Sequence, residues 1–341
     1  MDKKIAVLGT GANGSSTSAN LIQAGYDVVM IDQWAAHVEA IRENGLLIKM
    51  PDEELHVHPR AYHLSDVCTL NEKYDIVFLM AKAYDTRWLC EFIKPYLQDD
   101  GILVGIQNAM TVDDISEIIG PSRTLGCVIE MSSEIFTPGI VQRNNPPAHT
   151  WFGLGSVDPS TADRVAEIEG ILLNAGKVTV SDDIISAKWM KLVVNTMCLG
   201  PLAMLGITLY EAQNVPGVRD FVSRVGTEAL TAGQELGYTL QPIFGLSEED
   251  IKDTNNLLGK LLDKLLEDVG PSARDCVLQD HLKGRYSEVD MINGLVVEAF
   301  ERRGNDARAN AVVAEITRKI QLGELKPELA NLELAQQMLA S

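Results

Sequence analysis

The sequence predicts an α/β chain in two parts: a doubly wound, mainly parallel sheet in the first half and an all-α second half. Three observations predict it. From Ile5 to Val180 short apolar runs alternate with stretches of helical spacing, and a glycine-rich turn follows the first run directly. After Asp182-Asp183 the strand signals stop and helical patterning continues to the C-terminus. A chain of 341 residues is also longer than one compact core usually supports. The boundary falls near residues 182–185, giving expected domains over 1–183 and 184–341.

Each element follows from its local pattern. Ile5–Leu8 reads as a buried strand, then a glycine turn and a helix to about Ala24. Asp27–Ile31 is a second strand, and Ala35–Asn44 has helical spacing before Gly45. Leu46–Met50 and Leu55–His58 read as a short hairpin-like insertion. Asp75–Met80 is another apolar strand, followed by a helix around Trp88–Tyr96 and a strand at Gly101–Ile106. Strands alternating with helices at this spacing imply a parallel sheet covered on both faces. Thr124–Leu154 reads as β-rich, with turns at Thr137–Gly139 and Asn144–Pro147. A helix near Ala162–Asn174 and a strand at Lys177–Val180 close the first half. The helical half shows breaks at Gly200-Pro201, Pro242–Gly245 and Gly270-Pro271.

Composition limits the partners. Apolar residues make up 46% and charged residues 23%, as in an ordinary globular protein. The 29 basic and 48 acidic residues give 29 − 48 = −19, a field that repels phosphate backbones and anionic lipid surfaces. Neither nucleic acid nor a membrane is expected as a partner. The five cysteines are odd in number and form no C-x-x-C pair, which argues for reduced, mostly buried thiols and against zinc or a disulfide framework. The first residues lack the apolar stretch of a signal peptide, and no window is long enough for a membrane helix. A soluble, cytoplasmic protein is expected. His56 and His58 share one face of a probable strand, but no third ligand is evident, so no metal site is expected. The acidic, leucine-rich Leu246–Val269 is expected to pack as an amphipathic part of the helical half. A homodimer through that half is compatible with the sequence, though no residue pattern requires one.

The turn after the first strand reads Gly9-Thr10-Gly11-Ala12-Asn13-Gly14. It stands between a strand and a helix, and the next strand ends on an acid, Asp32. That context makes it a Rossmann-like dinucleotide site. The first glycine permits the tight turn, the second lets backbone approach a pyrophosphate, and the third lets helix pack on strand. Asp32 is placed to accept hydrogen bonds from the adenosine ribose and would repel a 2′-phosphate. No Arg or Lys follows at once, and the nearest cations are His37 and Arg42. On charge NAD is the expected cofactor, with NADP the alternative.

The second half opens with Lys188-Trp189-Met190-Lys191-Leu192-Val193-Val194-Asn195, where Lys188, Lys191 and Asn195 share one helix face among apolar neighbours. A lysine in that setting gives up part of its solvation and becomes a usable proton donor. Glu288-Val289-Asp290-Met291-Ile292-Asn293-Gly294 is a second polar set, at the start of an apolar helix.

Taken in order, five motifs resemble the ketopantoate reductase (2-dehydropantoate 2-reductase) family along nearly the whole chain. They are Gly9/Gly11/Gly14, Lys82 in MAKAYDT, Asn108 in IQNAM, W-x-K-L-x-x-N at Trp189–Asn195, and E-x-D-x-x-N-G at Glu288–Gly294. The resemblance implies an NAD(P)-dependent oxidoreductase acting on CH–OH groups. It implies Lys191 as the general acid that protonates a carbonyl oxygen, and Glu288 binding the substrate's distal polar group and holding the lysine's charge state. Asn108 and Lys82 would lie near the nicotinamide ribose and the reacting centre, and Asn195 would help bind substrate. Three positions depart from the family's pattern. Leu199 stands where ketopantoate-reducing members carry a second asparagine, Cys276 replaces a serine that contacts the substrate carboxylate, and Ala109 replaces the glycine of an Asn-Gly turn. Each lost charge-assisted hydrogen bond weakens the hold on a 2-oxo acid by roughly 1.5–3 kcal/mol. The leading expectation is hydride transfer to or from a small 2-oxo or 2-hydroxy acid. The alternatives are an NAD-dependent dehydrogenase of a different secondary alcohol or hydroxy acid in a catabolic pathway, a relative of the β-hydroxyacid dehydrogenases, and an NAD-binding regulator without catalysis.

Overall fold

The structure is a computed structural model that describes residues 3–252 and 256–341. Two compact units emerge from the backbone: Met1–Gln107 with Thr111–Ile185, and Asn108–Met110 with Ser186–Ser341.

The first unit holds twelve strands among its described residues: β1 (Lys4–Leu8), β2 (Asp27–Asp32), β3 (Leu46–Lys49), β4 (Glu54–Val57), β5 (Arg60–His63), β6 (Tyr74–Leu79), β7 (Leu97–Ile106), β8 (Thr124–Glu130), β9 (Ser133–Thr137), β10 (Ile140–Arg143), β11 (Trp151–Ser156) and β12 (Lys177–Val180). Eight form one sheet in the order β12-β11-β8-β7-β6-β1-β2-β5. Every pairing in it is parallel except β11 with β8. The order reverses between β1 and β6, so the loops leaving these two strands flank the switch point where doubly wound sheets bind ligands.

Parallel strands buried on both faces need apolar side chains at nearly every position. Ile5, Val7, Ile76, Phe78, Ile102 and Val104 pack into one buried cluster, while Ala6, Leu8, Val77, Leu79 and Leu103 pack into another. Odd and even positions of the same strands therefore serve opposite faces. Helices Ala12–Gln23, Thr86–Ile93, Val112–Ile119 and Ala162–Leu172 connect the strands.

Some expectations change. The hairpin-like insertion is an antiparallel β3–β4 pair, but β3 also pairs with β10, so a second sheet, β4-β3-β10-β9, forms from segments far apart in sequence. Strand β5 and helix Val112–Ile119 were not expected. β5 has mixed polarity because it is an edge strand beside β2, and the helix is only eight residues long.

The second unit is helical. Its first helix, Ile184–Leu205, runs unbroken through Gly200-Pro201, where a break was expected. Proline removes a donor from the ladder, but burial on all sides compensates: Met197, Leu202, Ala203, Met204 and Leu205 are at most 2% exposed. Trp189, Leu192 and Val193 pack with Ala229, Ala232, Ile292, Val296 and Phe300. The bends at Pro242–Gly245 and Gly270-Pro271 are present, with Phe244, Gly245 and Gly270 at positive φ. Leu246–Val269 contains helices Glu248–Lys252 and Leu257–Val269, and the latter buries Leu257, Leu261, Leu262 and Leu265. Residues 253–255 of that stretch lie outside the described residues, as do residues 1–2. No described helix is long and apolar enough to cross a membrane.

Candidate active site

In the first unit the glycine loop leaves β1 and enters helix Ala12–Gln23. Gly9 adopts φ +90°, and a Cβ there would lie 2.5 Å from the Ala81 nitrogen, so loop and β6 exit meet backbone to backbone. A Cβ on Gly14 would lie 2.2 Å from the Gly9 carbonyl oxygen. Gly11 differs, because a Cβ there meets nothing within 4 Å. Gly11 is the N-cap of the helix, and no side chain caps it. Its first turn therefore presents unsatisfied N–H groups beside open space, which suits a pyrophosphate.

Asp32 is 7% exposed and closes the loop. Its Oδ2 accepts from the Thr10 nitrogen at 2.5 Å and from Thr10 Oγ1 at 3.1 Å, while Oδ1 accepts from the Trp34 nitrogen at 2.7 Å. Oδ1, with one donor, keeps acceptor capacity for a ribose hydroxyl, while Oδ2 is filled by Thr10. Ala12 opens the helix, and Asn13 Oδ1 accepts from Ser133 Oγ at 2.5 Å. The two expected nearest cations are occupied elsewhere. Arg42 pairs with Glu39 and Asp66, and His37 is fully buried and hydrogen-bonded. Lys82 precedes the short turn Ala83–Asp85. Its carbonyl accepts from the Asp85 nitrogen at 2.9 Å and from Gln107 Nε2 at 3.3 Å.

Gln107 was not anticipated as a site residue. It is 5% exposed, and its Nε2 also reaches the Ala81 carbonyl at 2.9 Å and Thr86 Oγ1 at 3.1 Å. The end of β7 thus holds the Lys82 turn in place. The signal available was its adjacency to Asn108 in IQNAM.

The helical unit gathers a polar cluster from four distant segments. Asn195 Nδ2 donates to Asn108 Oδ1 at 3.1 Å, and Asn108 Nδ2 reaches Glu288 Oε2 at 3.5 Å and Cys276 Sγ at 3.8 Å. Cys276 Sγ lies 3.9 Å from Glu288 Oε2. Glu288 is the N-cap of helix Val289–Glu301 and is 3% exposed; Asn195 is 3% exposed on the long first helix. Lys191 stands one helical turn before Asn195, on the same face. Its Nζ sits 4.7 Å from the centroid of the Phe244 ring, a cation–π contact that holds the ammonium against a buried aromatic face. Phe244 has φ +59°, a costly conformation for an aromatic residue and one that marks constrained sites. Nothing in the local sequence announced it. Leu199 is half-buried against apolar clusters.

The neighbouring residues separate by environment. Asp290 is exposed and paired with Arg318 at 2.6 Å, while Asn293 is buried and donates to the Thr196 carbonyl and Asn310 Oδ1. His56 and His58 pack ring to ring at 4.8 Å, with His56 Nε2 against the Asn44 carbonyl. Among the described residues no group of three or more His, Cys, Asp or Glu is placed to hold a metal.

Residues 5–156 match the family model for "Ketopantoate reductase PanE/ApbA", and residues 183–321 match its C-terminal counterpart. The chain belongs to the ketopantoate reductase family. Ketopantoate reductase family members are NAD(P)-dependent oxidoreductases, and the glycine loop and Asp32 fit such a dinucleotide. The chain is 29% identical over 318 residues to a 2-dehydropantoate 2-reductase of Mesorhizobium japonicum, covering 86% of this chain and 90% of the relative. It is 28% identical over 318 residues to the enzyme of that name from Pyrococcus abyssi, covering 91% and 95%. A D-mandelate dehydrogenase solved with NADH and anilino(oxo)acetate superposes with a TM-score of 0.83 at 20% identity, covering 94% of this chain and 99% of the other. The fold is therefore that of the ketopantoate reductase family, as the five motifs implied.

Proposed function

We propose that this chain uses NADH to reduce the carbonyl of a small 2-oxo acid to the 2-hydroxy acid, as in 2-dehydropantoate 2-reductase, or runs the reverse oxidation. The supporting observation is the cluster in which Asn108 contacts Asn195, Cys276 and Glu288, and Cys276 contacts Glu288, with Lys191 one turn from Asn195. When bound, the nicotinamide supplies the hydride. Lys191 gives a proton to the carbonyl oxygen as negative charge develops there and takes it back in the reverse direction. Asn195 and Asn108 orient the substrate's polar atoms, and Glu288 binds its distal polar group. Asp32 and the open face at Gly11 would hold the dinucleotide with Thr10, Ala12, Asn13 and Gly14, and Lys82 would contribute to the same cofactor site. NAD is favoured over NADP because Asp32 would repel a 2′-phosphate and Arg42 is already paired with two carboxylates.

A second reading is favoured by Leu199 and Cys276, which put an aliphatic side chain and a thiol where ketopantoate-reducing members carry polar groups. It is an NAD-dependent dehydrogenase for a bulkier or less polar hydroxy acid.

Titration of NADH and NADPH by protein fluorescence, then a panel of 2-oxo acids and secondary alcohols at the NADH band, tests both. Turnover of ketopantoate supports the first reading, and turnover of only bulkier substrates supports the second. Binding of neither cofactor overturns both. Lys191→Ala is expected to lower kcat by roughly a hundred- to ten-thousand-fold with little change in NADH affinity. A variant that keeps most of the kcat would remove the general-acid role.

A further inference from the structure

His37 is fully buried and stacked on Trp34 at 5.4 Å. The Gly139 nitrogen, in the turn between β9 and β10, donates to its Nδ1 at 3.0 Å. Its Nε2 lies 3.1 Å from Ser15 Oγ, and Ser15 Oγ donates to the Thr10 carbonyl at 2.7 Å. These contacts determine the tautomer. The single hydroxyl proton of Ser15 goes to Thr10, so Ser15 Oγ must accept from His37, and Nε2 carries the imidazole proton. Nδ1 is then free to accept from Gly139. The hydrogen bonds run in one sense, Gly139 to His37 to Ser15 to Thr10, and such chains reinforce one another.

The far end of this chain is in the glycine loop. No described peptide is cis, and in a trans peptide the C=O and the following N–H point in opposite directions. Holding the Thr10 carbonyl toward Ser15 therefore turns the Gly11 N–H away from it, while Asp32 accepts from the Thr10 nitrogen and Oγ1.

We propose that His37 is a positioning residue for the dinucleotide's pyrophosphate, acting through Ser15 to set the Thr10-Gly11 peptide plane. The proposal rests on the dinucleotide reading above. It also gives the second sheet a role, since the Gly139 turn that anchors His37 belongs to it. Neither residue touches the reacting atoms, so the loss on substitution falls on NADH affinity.

The test is a double-mutant cycle of Ser15→Ala and His37→Phe, with Kd for NADH, kcat at saturating NADH and the melting temperature read for each protein. Phenylalanine keeps a ring against Trp34 and removes both nitrogens. Each single variant is expected to raise Kd about three- to ten-fold, the worth of one neutral hydrogen bond. The KM for NADH rises with it, while kcat and the KM for the second substrate change little. The double variant is expected to bind no more weakly than the worse single one. Multiplying effects would mean independent packing roles and would overturn the relay. If His37→Phe does not fold, Ser15→Ala decides alone, and an unchanged Kd refutes the proposal. Wild-type protein that binds neither NADH nor NADPH would overturn the cofactor reading itself. Tight wild-type binding with silent variants would overturn only the role of His37.

Discussion

His281 lies in the last turn of helix Cys276–Lys283, and neither ring nitrogen has a hydrogen-bond partner among the described residues. Burial pushes its imidazole down to about 4 from its usual 6.5. Between these values the unfolded chain binds a proton that the folded chain refuses, so stability falls as pH drops through the window from 6.5 to 4. His281→Phe is expected to lose less stability than the wild type between pH 7 and pH 5, measured as the change in urea midpoint at each pH. A parallel loss in both proteins would show that the histidine does not contribute. At the same scale, Asn108, Asn195 and Glu288 were readable as polar residues in motifs. That Asn108 bonds all three of Asn195, Cys276 and Glu288 was not readable, because the partners lie 87, 168 and 180 residues away. Ala109 is a local departure with a structural cost. It adopts φ +63°, the left-handed region that the family's glycine enters freely.

The helices of the second unit are tied together by polar contacts that periodicity does not reveal. Helix Arg308–Gln321 has no side-chain cap of its own, and its N-cap position is Ala307. Glu228, from helix Val218–Leu236, caps it from across the unit, accepting from the Ala309 nitrogen on Oε1 and the Asn310 nitrogen on Oε2, both at 2.9 Å. A carboxylate at a helix N-terminus satisfies orphan donors and meets the positive end of the helix dipole. Glu228→Ala is expected to lower unfolding stability by about 1–2 kcal/mol, read by chemical denaturation. A loss within about 0.5 kcal/mol, the size of an ordinary surface change, would mean that other groups take over the cap. Asn310 extends the tie, donating to the Val225 carbonyl and accepting from Asn293, which in turn donates to the Thr196 carbonyl. Element boundaries were legible where the pattern was strong, as for helix Ala35–Asn44 and strand Lys177–Val180, which stand as expected. The missed elements were short or mixed in polarity, where tertiary partners decide.

Over the whole molecule the net charge of −19 opposes the approach of any anion. If the proposed cofactor is bound, raising ionic strength from low to physiological should speed NADH association, because screening removes long-range repulsion while short-range contacts persist. Stopped-flow association rates against salt would check this, and rates that fall with salt would mean that a local positive field dominates. The sequence by itself determined the doubly wound sheet, the helical second half, the glycine loop with Asp32 and the Lys191–Asn195 face. All of these are local: an apolar run, a turn or a helical spacing is written in neighbouring residues. Only the tertiary structure decided the second sheet, the unbroken helix through Pro201, the ring of Phe244 under Lys191, and the buried path from Gly139 through His37 and Ser15 to Thr10. Each of these joins residues far apart in the chain, where spacing carries no signal and only packing brings the partners together.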